Sequence, residues 1–124
     1  MDIERINGEF TVCKVKDLSK VNFDSGFVFV SKTDNEISVV CQTHEVPANA
    51  TSQEDGWRAF RIVGTLDFSL VGVIAKISTL LSESRIPVFV VSTYNTDYVL
   101  VKQENQIKAL GVLSQAGYRI LNLD

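Results

Sequence analysis

The chain has 124 residues, 12 basic and 15 acidic side chains, a formal net charge of −3 and 45 % hydrophobic residues. That balance excludes an intrinsically disordered chain, and the length excludes a large multidomain enzyme. A mildly acidic chain offers no basic field to nucleic acid. The longest apolar runs, Phe27 to Val30 and Val88 to Val91, are far shorter than the roughly twenty residues of a membrane span. The polar start Met1-Asp2-Ile3-Glu4-Arg5 lacks the cationic and apolar regions of a signal peptide, so a cytoplasmic protein is expected.

In chain order, Gly8 to Lys16 alternates polar and apolar residues and reads as a strand. Asp17 to Gly26 is too short for a helix with its turns. Phe29-Val-Ser, a polar turn and Ile37 to Val40 read as a hairpin. Val46 to Asp55 is polar and turn-rich, with room for one short helical turn. Trp57 to Val63 is the next strand, and Gly64 to Phe68 turns the chain. Ser69 stands as the cap of a helix whose apolar positions are Leu70, Val73, Ile74, Ile77, Leu80 and Leu81, spaced three and four apart. Pro87 stops that helix. Val88 to Thr93, the turn Tyr94 to Asp97 and Tyr98 to Lys102 form a second hairpin. Glu104 to Ala116 reads as a second helix closed by Gly117, and Tyr118 to Leu123 as a last strand.

The second half thus has the order β-α-β-β-α-β of an α+β ferredoxin-like plait, a four-stranded antiparallel sheet with both helices on one face. The hairpin of the first half repeats the second at an offset of 61, which sets Glu36 under Asp97. The expected organisation is a reduced unit over 1–56, missing most of its helices, and a complete unit over 57–124.

Chemistry of catalytic type has little to build on. One histidine, His44, supports no Ser/His/Asp set, and no phosphate-binding or dinucleotide fingerprint occurs, so neither enzyme activity nor a cofactor is expected. Cys41-Gln-Thr-His44 is half a metal site without a second pair, so no metal is expected. Cys13 and Cys41 read as reduced, buried thiols in strands.

Gly72-Val-Ile-Ala-Lys-Ile77, Leu80-Leu81 and Ile86-Pro-Val-Phe-Val-Val-Ser92 resemble the ACT domain: a glycine opening the helix, two aliphatics and an alanine, then a small-residue turn into an aliphatic strand. The nearer likeness is to aspartate-kinase-like and CASTOR-type tandem ACT proteins. Gly64-Thr-Leu-Asp-Phe-Ser69 with Ser92-Thr-Tyr-Asn-Thr-Asp-Tyr98 is similar to a small bacterial tandem-ACT family of unassigned role. The likeness is strong from Trp57 onward and weak before it. It departs from the family at Ser69, where an Asp is common, with Asp67 two positions earlier.

The resemblance implies a non-catalytic regulatory module that binds a small ligand, an amino acid, at the turn between first strand and first helix, across an interface of two ACT units. It also implies a homodimer and a regulated enzyme as partner. The alternative is a structural or protein-interaction module without ligand. At that turn the N–H groups of Leu70, Val71 and Gly72, behind Ser69, are placed to hold a carboxylate. Asp97 is the first choice for an α-ammonium and Asp67 the second. Capping by Asp67 or Ser69, and a solvated turn at Asp97, remain the plainer readings of those residues.

Overall fold

A computed structural model describes residues 1–64 and 71–123. The strands are β1 (Asp2–Val15), β2 (Val28–Lys32), β3 (Ile37–Gln42), β4 (Ala50–Ile62), β5 (Phe89–Ser92), β6 (Asp97–Lys102) and β7 (Arg119–Leu121). The helices are α1 (Val73–Glu83) and α2 (Gln106–Gln115), with 3₁₀ turns at Thr43–Glu45 and Gln103–Asn105. The chain divides into two compact units, Gly8–Trp57 and Met1–Asn7 with Arg58–Asp124. Residues 1–7 group with the unit of Arg58 onward.

In the unit of Arg58 onward, β7 pairs with β1, and the order continues β1-β4-β6-β5. The mixed α+β architecture and mostly antiparallel sheet are those of the ferredoxin-like plait, with one addition. The start of β1 lies between β4 and β7, where a plain plait would pair its first and last strands directly. It runs parallel to β7, with Ile3 opposite Ile120. Met1 to Asn7 was not read as a strand, because its charges break the apolar alternation. Yet Ile3 is fully buried, and Asp2 and Arg119 make a cross-strand ion pair at 2.6 Å. Hydrogen-bond partners on two strands supplied what local propensity lacked.

The core of this unit lies between one sheet face and the helices. Ile3, Phe60, Ile62, Val99 and Val101 meet Ile77 and Leu81 of α1 and Ala109, Leu110 and Leu113 of α2. Burying each large side chain contributes about 1.5–3 kcal/mol. Both helices end in Schellman motifs. Gly117 takes φ 104°, with the Tyr118 N–H donating to the Leu113 carbonyl at 3.1 Å. Arg85 takes φ 61° in the corresponding place after α1, where the Ile86 N–H donates to the Leu81 carbonyl at 2.9 Å.

In the unit Gly8–Trp57 the order is β4-β1-β3-β2, the order of a plait whose helices are gone. Its fourth strand was missed: β4 begins at Ala50, inside the stretch read as turn-rich. Polar residues there sit on a strand with exposed positions, Thr51 to Asp55, held by the neighbouring strand β1. The segment after β1 forms no helix. It is tied down by polar bonds: Glu45 accepts from Ser25 Oγ at 2.8 Å and Asn22 Nδ2 at 2.7 Å, and Asn49 Nδ2 donates to Asp17. Leu18 and Val21 of that segment pack on Cys13, Val15, Val39 and Cys41.

The two hairpins do repeat, but at an offset of 60. Thr33 N–H donates to Glu36 O at 2.9 Å, and Thr93 N–H to Thr96 O at 2.8 Å. β3 and β6, and the 3₁₀ turns that follow, then coincide residue for residue. Apolar strands align equally well at several registers, whereas the turn bond admits one. Asp97 therefore corresponds to Ile37, and Glu36 to Thr96.

Two predictions follow from these cores. Left-handed backbone at a residue with a Cβ costs about 1–2 kcal/mol, so Arg85→Gly is expected to stabilise the chain by about 1 kcal/mol, read from the urea midpoint. Burial pushes both thiols up, Cys41 to about 12. Between the ordinary thiol value and about 12 the unfolded chain ionises at Cys41 while the folded chain stays protonated. Stability is thus full below that window and falls as pH rises through it. Urea titrations at rising pH are expected to show a loss that Cys41→Val reduces.

Candidate functional site

The opening of α1 is the chemically distinctive point of the second unit. The helix begins at Val73, and its N-cap is Gly72 in left-handed conformation, φ 78° and ψ 4°. It therefore starts later than the Ser69 cap expected from sequence. The N-cap, being glycine, offers no side chain of its own to the first amides. The first intrahelical bond runs from Lys76 N–H to Gly72 O at 2.9 Å, so the N–H groups of Val73, Ile74 and Ala75 have no intrahelical acceptor. These amides form the positive end of the helix.

A cleft of about 290 Å³ lies here, lined by Val71, Gly72, Val73 and Lys76 on one side and Gly117, Tyr118 and Met1 on the other. Lys76, one turn into α1, holds its ammonium 5.8 Å from the centre of the Tyr118 ring, a cation–π distance. Among the described residues the cleft thus combines the first helix amides, the Lys76 ammonium and an aromatic wall. That set suits a small anion carrying an apolar group.

Of the residues singled out by sequence, Val71 and Gly72 line this cleft, Val71 with its side chain 90 % exposed. Asp67, Ser69 and Leu70 lie outside the described residues. Asp97 is half-buried at the hairpin, where it accepts a hydrogen bond from Ser92 Oγ, its cross-strand neighbour. That pair is two residues along from Val90 and Val99, so it shares the helix side of the sheet. Asp97 is not among the residues lining the cleft. Lys76, Tyr118 and Met1 were not foreseen. Lys76 follows Gly72 by four and could have been read from helical spacing. Tyr118 and Met1 arrive only through the packing of α2 and β1.

The other sheet face carries a polar cluster. Arg61 donates through Nε to Glu4 at 2.9 Å and through Nη1 to Tyr98 Oη at 3.0 Å. The Tyr98 bond, ahead of the Glu4 carboxylate, keeps the guanidinium firmly protonated. Below it Thr96, buried, donates from Oγ1 to Ile62 O at 2.8 Å and so fixes the hairpin on β4. Arg61 thus links β1, β4 and β6. Among the described residues no cluster of His, Cys, Asp and Glu could hold a metal ion, and no helix is long and apolar enough to cross a membrane.

The model of the ACT domain matches residues 52–115, and the chain belongs to the ACT domain family. A second family model, of an N-terminal domain, matches residues 8–49. Among solved structures, a protein of Agrobacterium tumefaciens is similar at 27 % identity and TM-score 0.85, covering 97 % of this chain and 91 % of that one. A Vibrio cholerae protein of unknown function, described as a possible transport protein, is similar at 18 % identity and TM-score 0.71, covering 92 % and 88 %. The regulatory subunit of aspartate kinase from Thermus thermophilus shares the fold at 11 % identity and TM-score 0.65, covering 94 % and 97 %. No curated protein matches the chain.

Among the described residues a Cβ on Gly72 would meet nothing within 4 Å, and its left-handed backbone is what resists substitution. Gly72→Ala is expected to cost about 1–2 kcal/mol through the left-handed conformation alone. A urea titration checks this, and a far larger loss would mean that side-chain space matters there.

Proposed function

We propose that the protein is a non-catalytic regulatory ACT module that binds an amino acid. The observation that carries this reading is the opening of α1 at Gly72, in left-handed backbone, with Lys76 lining the same small cleft. An α-carboxylate would lie on the first amides of α1 and against Lys76, where backbone N–H groups and the helix dipole both favour negative charge. The α-ammonium would be met by Asp97, with Asp67 as second choice. A homodimer, in the cytoplasm, would present this site to an enzyme that it regulates; the similar Thermus thermophilus protein is a regulatory subunit of aspartate kinase.

A thermal-shift panel of the common amino acids on the full chain tests the reading. One of them is expected to raise the melting temperature. At about 100 times its Kd it would add about 2.7 kcal/mol of stability. Lys76→Gln and Asp97→Ala are each expected to remove most of that shift. A silent panel, or a shift that neither variant changes, would overturn the proposal. A silent panel with one stoichiometric protein partner would place the module among ligand-free interaction domains instead.

A further inference from the structure

Asn7 is the only asparagine that a glycine follows, and Asn7 and Gly8 are both exposed, midway along β1. Gly8 takes φ 101°, a backbone open to glycine. β1 pairs with β7 over Asp2 to Glu4 and with β3 from Phe10, and the two residues lie between these stretches.

Two donors converge on the side-chain oxygen of Asn7. Arg5, two residues back on the same strand face, donates through Nη2 to Oδ1 at 3.1 Å, and Asn122 Nδ2 donates to the same atom at 3.4 Å. The donors hold each other in place: Arg5 Nε donates to Asn122 O at 2.8 Å, and Asn122 Nδ2 to Arg5 O at 2.7 Å. A guanidinium and an amide aimed at one oxygen suit a full negative charge better than a neutral carbonyl. None of these residues lines the cleft at the α1 opening.

We infer that Asn7 is a self-modification site, which the chain itself converts to aspartate. The main-chain nitrogen of Gly8, with no Cβ beside it, gives its proton to hydroxide and attacks Asn7 Cγ, forming an N–Cγ bond. Negative charge develops on Oδ1, where Arg5 and Asn122 stand as oxyanion donors. The Cγ–Nδ2 bond breaks, and Nδ2 takes a proton from water and leaves as ammonia. Water then opens the cyclic imide, so one water is consumed, one ammonia is released and nothing is oxidised or reduced. Opening at the main-chain carbonyl carbon would give isoaspartate and put an extra methylene into β1. Opening at Cγ restores the normal main chain, with aspartate at position 7. Arg5 polarises the Cγ carbonyl and so directs water to Cγ. The new carboxylate then rests on both donors, and β1 keeps its register.

Peptide mapping of the full chain held at mildly alkaline pH, with and without urea, tests this against synthetic aspartate and isoaspartate peptides. The folded wild type is expected to gain one negative charge beyond its −3, located at residue 7. Aspartate is expected to exceed isoaspartate at least about threefold in the folded chain, and isoaspartate to dominate in urea, where Arg5 is no longer held at Oδ1. Arg5→Gln is expected to slow the conversion about tenfold and to raise the isoaspartate share, whereas an Arg5 that only restrained the side chain would, on removal, speed it. Asn7→Asp is expected to keep the wild-type circular dichroism and a urea midpoint at least as high, because its carboxylate meets the same two donors. A folded chain that keeps Asn7 intact while the chain in urea converts it would overturn the proposal, as would isoaspartate as the main folded-state product. Faster conversion in Arg5→Gln would overturn the part given to Arg5, and a lowered midpoint in Asn7→Asp the fit of the product.

Discussion

The unit that holds the candidate site depends on one long-range pairing, the start of β1 with the end of the chain. Ile3 is fully buried among the side chains of both helices, and its strand separates β4 from β7. Arg5 donates to Asn122 O at 2.8 Å, and the Arg119 N–H to Met1 O at 3.3 Å. Removing residues 1–7 would leave the facing edges of β4 and β7 unpaired and open a cavity in the core. Such contacts close the longest loop the chain contains, a cost in entropy that only cooperative burial offsets.

The first unit shows how a plait stays folded after losing helices. Its four strands keep the sheet order of the fold, and its hairpin keeps the turn geometry of the second unit. In place of a helix, Leu18 and Val21 cover the sheet, and Glu45 and Asn49 hold their segment by side-chain bonds. A loop cannot satisfy its own backbone as a helix does, so polar side chains take over that task. The cost falls on the cluster under it, which is small and contains two thiols.

At the α1 opening the same backbone constraint shapes both structure and chemistry. A left-handed glycine at the N-cap opens the helix and brings no side chain of its own to the first amides. The neighbouring wall comes from the other end of the unit's sequence, through Gly117 and Tyr118. α1 and α2 pack side by side, and the end of α2 therefore lies beside the beginning of α1, as the cleft they share requires.

Much of this was legible in the residues alone. The helical stripe from Val73 to Leu81, the stop before Pro87, the cap at Gly117 and the second hairpin all follow from spacing and local backbone chemistry, and together they fix the α+β plait. The resemblance at Gly72 to Ser92 pointed to the family that the match over 52–115 establishes. Three things were not legible. β1 starts at Asp2 and β4 at Ala50, because hydrogen bonding to a neighbouring strand can recruit polar residues that would not form a strand by propensity. The hairpin repeat is offset by 60 rather than 61, because a turn bond decides a register that alternating apolar residues leave degenerate. Lys76, Tyr118 and Met1 meet at one cleft because packing joins segments far apart in the chain, and local spacing carries no information about such meetings. Sequence alone determined the elements whose forces are local. Tertiary structure decided the strand limits, the register and the composition of the site, each of which depends on partners distant in the chain.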